Sequence, residues 1–95
     1  MNYKRYQMHY EAEELEPCYD NRKSFYGKAQ QFFYEDGTIE LQSYSTIVAR
    51  IEDGKAIVYG WYSNTTGRHI KEFLKQHGFW ADNKAQILKD YGEVE

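Results

Sequence analysis

The sequence has little of several features that would assign a protein to a particular compartment. Its one cysteine, Cys18, has no second cysteine for an internal disulfide, which favours a reducing cytosol over an oxidising compartment. No run of residues approaches the roughly 18 apolar positions of a membrane-spanning helix. Residues 1–6 also lack the apolar core of a signal peptide. These absences predict a cytoplasmic protein with no membrane partner.

The chain also lacks any sign of a linker or a repeat. It has one proline and no low-complexity tract, so residues 1–95 are predicted to form a single domain. The net charge of −3 does not favour non-specific binding to nucleic acid. Aromatic residues, by contrast, are abundant at 18%, with ten tyrosines. Tyrosine is typical both of half-buried sheet surfaces and of binding faces, because its ring is apolar and its hydroxyl is polar.

Two Asp-Gly dipeptides, each between alternating segments, predict two β-hairpins within residues 24–62. In the first, a two-residue turn at positions 36 and 37 would pair Tyr34 with Ile39 and Phe32 with Leu41. These four side chains would then share one side of the sheet. Together the two hairpins predict four antiparallel strands, which span residues 28–35, 38–44, 46–52 and 55–61.

The second hairpin turns at positions 53 and 54. Its predicted cross-strand pairs are Glu52 with Lys55, Ile51 with Ala56, Ala49 with Val58 and Ile47 with Gly60. That side is small and aliphatic, so a helix could lie on it, and the glycine would let the helix approach closely. The other side of this hairpin is predicted to carry Val48, Arg50, Ile57, Tyr59 and Trp61.

Residues 63–92 are predicted to be helical. Residues 63–66 read Ser-Asn-Thr-Thr, a run of N-cap residues, and predict a helix over 64–77 that ends at Gly78. Its core stripe would be Ile70, Phe73, Leu74 and His77, with His77 also capping the helix end. Its outer positions would be Arg68, Lys71, Glu72 and Lys75. A second helix through Tyr91 would bury Ile87 and Leu88. The predicted class is therefore α+β, an antiparallel sheet of about four strands with two C-terminal helices packed on it.

Residues 1–23 are predicted to form an N-terminal strand over 3–10 and an acidic loop over 11–23, which Pro17 keeps from being helical. The loop carries five carboxylates with no base among them, so it creates a local negative field that would attract a basic partner. The candidate partner-binding residues are these five acids and two adjacent tyrosines: Glu11, Glu13, Glu14, Glu16, Asp20, Tyr10 and Tyr19. A simply solvated loop is the alternative, with the apolar sheet side around Tyr59 and Trp61 as the competing surface.

No residue pattern predicts catalysis, a metal or a cofactor. His9, Cys18, His69 and His77 could supply four zinc ligands, but their spacing matches no zinc motif. The serines fit no nucleophile elbow, and the glycines fit no phosphate loop. Only a basic stripe at helical spacing, Arg68, Lys71 and Lys75, offers a nucleic-acid surface.

Three segments carry a resemblance to a known group of proteins. They are residues 20–29 (DNRKSFYGKA), the hairpin and helix start that end in WYSNTTGRHIKEFL at 61–74, and residues 84–92 (KAQILKDYG). Over residues 19–92 the chain resembles small domains of unknown function from phages and conjugative elements of Gram-positive bacteria. Such domains are similar in size and setting to type II anti-CRISPR proteins, which are small, often acidic, and inhibit by binding. The resemblance supplies no catalytic residues.

The resemblance implies an inhibitor that binds a type II CRISPR-Cas effector nuclease and blocks target DNA binding or cleavage without catalysis. The alternative is a small regulatory nucleic-acid-binding protein of a mobile element, and a third hypothesis is an accessory subunit that works as an oligomer. The sequence leaves the oligomeric state, the identity of the nuclease and the blocked step open.

Overall fold

The computed structural model describes residues 10–93, which form a five-stranded antiparallel sheet and two helices. The strands lie in the sheet in chain order: β1 (Tyr10–Glu14), β2 (Ala29–Tyr34), β3 (Ile39–Ser43), β4 (Thr46–Glu52) and β5 (Lys55–Val58). The helices are α1 (Asn64–Gln76) and α2 (Lys84–Tyr91). The predicted α+β class is confirmed, with one strand more than expected.

The hydrophobic core lies between the helices and one side of the sheet, here called the helix-facing side. Helix α1 packs near β3 and α2 near β5. The predicted stripe of Ile70, Phe73 and Leu74 is fully buried, as is Ile87 of α2, while Leu88 is half-buried. Ser63 caps α1 by accepting a hydrogen bond from the backbone N–H of Thr66, as its N-cap position predicts.

The first hairpin has a longer loop than predicted. Tyr34 N–H donates to the carbonyl of Thr38 at 2.9 Å, and this hydrogen bond closes a loop of three residues, 35–37. Gly37 takes the positive φ (+91°) that such a loop needs at its last position. Gln31 therefore pairs with Leu41, and the predicted pairing of Phe32 with Leu41 is wrong.

This one-residue shift exchanges the two sides of β2, because side chains alternate along a strand. Phe32 and Tyr34 lie on the side away from the helices, where Phe32 is paired with Glu40. Gln31 instead lies on the helix-facing side and is buried.

The second hairpin follows the prediction near its turn and departs from it further along. Asp53 and Gly54 both have positive φ, and the pairs from Glu52–Lys55 to Ala49–Val58 are as predicted. Beyond Ala49 the register with β3 shifts, so Val48 is an extra residue. This bulge places Val48 in the core, whereas the sequence predicted it on the other side.

Strand β5 ends at Val58, three residues earlier than predicted, so the expected pairing of Ile47 with Gly60 does not form. Trp61 lies outside the strand and packs against the core. At Gly60 the side chain that approaches closely is Tyr62 and not the predicted helix, and the close approach of helix α1 occurs at its own Gly67. A Cβ at Gly67 would come within 2.7 Å of the Trp61 indole nitrogen and closer still to two ring carbons.

The N-terminal part differs from the predicted strand and loop. The predicted strand over 3–10 lies outside the described residues except for Tyr10. Residues 11–14, predicted as loop, belong to strand β1. A long connection over 15–28 then crosses α1 and leads into β2.

Candidate binding surface at strand β1

Strand β1 forms one edge of the sheet, and within residues 10–93 no strand pairs with its outer side. The opposite edge differs, because Glu93 N–H donates to the carbonyl of Val58 in β5. At β1, Leu15 N–H donates to the carbonyl of Ala29 at 2.9 Å. Since hydrogen-bonded and non-hydrogen-bonded pairs alternate in an antiparallel ladder, the N–H and C=O groups of Ala12 and Glu14 point outward. Outward groups of this kind are a template for another strand.

The acidic side chains of β1 are divided between its two sides. Glu11 and Glu13 are exposed on the helix-facing side, opposite Phe33 and Gln31. Tyr10, which is 55% exposed, lies on the other side. Its ring packs edge-on against Phe32, with 5.3 Å between ring centroids.

The remaining three predicted acids bond to other parts of the chain. Glu14 accepts the backbone N–H of Gly27 at 2.7 Å, and Glu16 accepts the Ser24 hydroxyl at 3.4 Å. Asp20 forms an ion pair with Arg68 at 3.1 Å. The five acids are therefore not one free surface, as the sequence predicted. Glu11, Glu13 and Glu16 are exposed, but Glu16 lies beyond the strand and contacts Ser24, and Tyr19 is 62% exposed further along the chain.

Asp20 joins the 15–28 connection to α1 through its ion pair with Arg68, so its carboxylate has a structural role. Burial would raise its pKa, but the backbone N–H of Arg22 and the Arg68 guanidinium outweigh burial and hold the pKa below its ordinary value of 3.8. The same ion pair removes Arg68 from the predicted basic stripe as a free charge.

Glu72 is the functional group that the sequence pattern missed. It was predicted to face solvent, yet it is only 1% exposed. Its carboxylate accepts the backbone N–H groups of Cys18, Tyr19 and Asp20 at 2.7–3.1 Å, and also the Gln76 side-chain amide. The three backbone donors lie 52–54 residues earlier in the chain, so helical periodicity carries no signal for them. Glu72 thereby fixes the 15–28 connection against α1.

A second buried polar group joins α1 to strand β3. His69 Nδ1 is 2.8 Å from the Ser43 hydroxyl, which is 2.9 Å from the Thr66 hydroxyl. All three residues are buried. Burial lowers the pKa of His69 below its ordinary 6.5, although Asp20 acts in the opposite direction. The ring is therefore neutral at pH 7 and acts as a hydrogen-bonding group.

The other possible metal ligands of the described chain lie apart. Within residues 10–93 no three His, Cys, Asp or Glu side chains come together as a metal site. His77 lies at the C-cap of α1 as predicted, but its Nε2–H donates to Gln31 Oε1 at 2.7 Å. Burial lowers the pKa of His77, so the ring adds no positive charge to the helix end at pH 7. His9 lies outside the described residues.

The sequence profile of a family of unknown function, DUF8033, matches residues 13–89. The chain belongs to DUF8033. Comparisons with curated proteins and with solved structures give no match. The DUF8033 match contains Glu72, His69 and both helices' buried stripes, and it begins inside β1. Tyr10 and Glu11 therefore precede the DUF8033 region, whereas Glu13 begins it.

Membership of DUF8033 supplies a family but no activity. Neither helix within residues 10–93 has the length and apolar character that crossing a bilayer requires. The edge strand, the buried polar groups and the surface charges are the features of the described residues that bear on function.

Proposed function

We propose that this protein acts by binding a basic surface of a partner protein in a one-to-one complex, without catalysis. The observation that carries the proposal is the edge strand β1. Its outward backbone groups at Ala12 and Glu14 have no strand partner in the described part of the chain. Strand addition to such an edge would supply affinity through main-chain hydrogen bonds. The exposed carboxylates of Glu11 and Glu13 would favour a basic partner.

The partner that we propose is a type II CRISPR-Cas effector nuclease of the bacterial cytoplasm. The resemblance to small phage and conjugative-element domains supports this choice. So does charge complementarity, because these nucleases hold nucleic acid in positively charged channels. Binding at such a channel would block target DNA binding or cleavage.

The alternative role, nucleic-acid binding through the basic stripe of α1, has weaker support. Arg68 is neutralised by Asp20. Lys71 and Lys75 lie beside Glu72 around a shallow hollow of about 150 Å³. The stripe is therefore a mixed-charge surface and not a continuous cationic one.

Two variants separate a charge contribution from a strand-addition contribution. Glu11→Gln with Glu13→Gln removes two charges, and we expect association with a guide-loaded effector to slow by about tenfold at 0.1 M salt. The difference should vanish at 1 M salt, where the Debye length falls to about 3 Å. Ala12→Pro removes an outward N–H that makes no bond to β2, so we expect faster dissociation with the fold retained.

The matched control for charge is Asp82→Asn with Asp90→Asn. Both acids are exposed and lie at or beside α2, which packs near β5 at the opposite edge of the sheet from β1. Association and dissociation rates by biolayer interferometry give the readout. Association and dissociation rates like those of the parent in both β1 variants would show that the edge strand does not contact the partner. A parent protein that fails to bind any guide-loaded type II effector would overturn the choice of partner.

A further inference from the structure

A pocket of about 190 Å³ lies where the 15–28 connection, the β3–β4 turn and the start of α1 meet. The pocket is separate from the β1 edge and is lined by cations, whereas the β1 edge carries exposed acids. Its walls include the exposed tyrosines Tyr26 and Tyr44 and the cations Arg22 and Lys28, and the buried ring of His69 also lines it. No pattern in the sequence groups these residues.

Both pocket tyrosines have a backbone conformation that disfavours them. Tyr26 has φ +56° and precedes Gly27 at +76°, in a turn closed by Lys28 N–H donating to the carbonyl of Phe25. Positive φ at both central positions is the type I′ pattern, which favours Asn, Asp or Gly. At the other turn with this pattern, the chain has Asp53 followed by glycine.

Tyr44, in the two-residue β3–β4 turn, also has a positive φ, of +58°. A large side chain in the left-handed region is disfavoured relative to glycine, because its Cβ comes too close to the backbone carbonyl. Tyr26 is 74% exposed and Tyr44 50% exposed, so core packing does not offset that cost. Backbone strain of this kind is typical of functional sites, which points to a role for the exposed rings.

The charge around the tyrosines is positive. Lys28 Nζ lies 5.7 Å from the centroid of the Tyr44 ring, which brings a cation beside an aromatic surface. Arg68 also reaches the pocket, but Asp20 neutralises it. Among the described residues, Lys28 forms no ion pair, and Arg22 and Arg68 both act electrostatically on the single carboxylate of Asp20. The cations therefore outnumber the acid, and the pocket has an excess of positive charge.

His69 contributes a directional polar group. Its ring is 1% exposed, and its Nδ1 is occupied by Ser43. Nε2 has no hydrogen-bond partner among the residues that the structure describes. Because the ring lines the pocket, Nε2 is the nitrogen left for a ligand.

We propose that this tyrosine pocket binds one nucleotide unit. The base would stack on Tyr26 and Tyr44 and hydrogen-bond to His69 Nε2, and the phosphate would lie against Arg22 and Lys28. Aromatic stacking beside cations is how proteins hold single-stranded nucleic acid. The pocket is smaller than the roughly 300–1,000 Å³ of sites for drug-sized ligands, which suits one base. The source is either a free mononucleotide or one unit of a single strand.

The test measures binding of two probes, a ten-residue oligothymidylate and AMP, to the full chain by isothermal titration calorimetry. We expect Tyr26→Ala to weaken binding about tenfold, or about 1.4 kcal/mol, as loss of one stacked base would. Tyr62→Ala is the matched control, because Tyr62 has a similar exposure of 68% and φ +63° but does not line the pocket. If the strand is the ligand, Arg22→Gln should also reduce the salt slope by about 0.7.

Comparison of the probes identifies the source. Tighter binding of the oligonucleotide indicates a strand, and equal binding of AMP indicates a free nucleotide. A shift of the His69 Nε2 resonance on adding either probe would place the ligand in the pocket. Lack of binding by both probes at millimolar concentration, or equal losses in the Tyr26 and Tyr62 variants, would overturn the proposal. Neither result depends on the proposed nuclease partner.

Tyr26→Gly gives a second readout that a structural role would not produce. Glycine relieves the backbone strain at this position, so we expect the melting temperature to rise while nucleotide binding falls. A fall in melting temperature together with unchanged binding would show that the ring serves the fold and not a ligand.

Discussion

At the scale of single residues, the buried carboxylate of Glu72 shows where pattern-based prediction ends. Helical periodicity separates the apolar stripe of α1 from its polar positions, and Glu72 falls among the latter. The structure buries it because the 15–28 connection covers a second side of the helix. A charge is tolerated there only because several N–H groups solvate it in place of water. That covering segment is distant in sequence, so no local signal predicts it.

Glu72→Gln tests this anchor. An amide keeps the shape of the side chain but presents an NH2 group to backbone donors, so at least one N–H loses its acceptor. We expect the free energy of unfolding, measured in urea, to fall by about 2 kcal/mol. Amide hydrogen exchange should accelerate at Cys18, Tyr19 and Asp20. Glu11→Gln is the control, since its exposed carboxylate should change stability by less than about 0.5 kcal/mol. Equal small effects would show that the connection does not depend on Glu72.

At the scale of secondary-structure elements, the two Asp-Gly turns show that one dipeptide can serve two geometries. At position 53 both residues have positive φ, and the predicted register is confirmed. At position 36 only Gly37 has positive φ, and Asp36 accepts the N–H of Thr38 at 2.9 Å. Either turn satisfies the local chemistry. The choice depends on which side of β2 enters the core, and the sequence of β2 is ambiguous because Phe32 and Phe33 are adjacent.

The packing of α1 depends on a glycine that propensity would disfavour. Alanine at position 67 would favour the helix by about 1 kcal/mol, but its Cβ would collide with the Trp61 indole. Because Trp61 packs against the core, we expect Gly67→Ala to lower the free energy of unfolding by about 1–3 kcal/mol. Thermal or urea unfolding measures the loss.

The matched control is Thr65→Ala, an exposed position in the same first turn, which should be neutral or slightly stabilising. Trp61→Phe combined with Gly67→Ala should recover part of the loss, because the smaller ring leaves space for the methyl group. Additive effects of the two substitutions would show that positions 61 and 67 do not interact, which would contradict the collision as the cause of the loss.

At the scale of the whole molecule, acidic and basic side chains lie on different parts of the surface, which the net charge of −3 does not reveal. Exposed acids lie on β1 at one edge of the sheet, whereas Arg22 and Lys28 lie at the tyrosine pocket on the 15–28 connection. The sequence predicted the acidic concentration but not its division between a strand, an ion pair and turn contacts. It also could not predict the pocket, which three segments build only after folding.

The stability of the whole domain should depend on pH through His69 and His77. Burial lowers the pKa of both below the ordinary 6.5, although Asp20 opposes this at His69 and Glu13 opposes it at His77. The unfolded chain therefore binds protons more readily, and stability present above pH 6.5 is lost as the pH falls below that value. Each histidine contributes at most about 1.4 kcal/mol per pH unit.

Urea unfolding between pH 8 and pH 5 measures this dependence. We expect a nearly constant free energy of unfolding from pH 8 to 7 and a progressive fall below pH 6.5. His77→Gln should make that fall shallower, because His69 is then the one histidine of residues 10–93 that titrates differently in the two states. Asp20 does not contribute in this window, since its lowered pKa makes stability fall only below its ordinary value of 3.8. A flat profile from pH 7 to 5 would show that both rings accept protons as easily in the folded domain as in the unfolded chain.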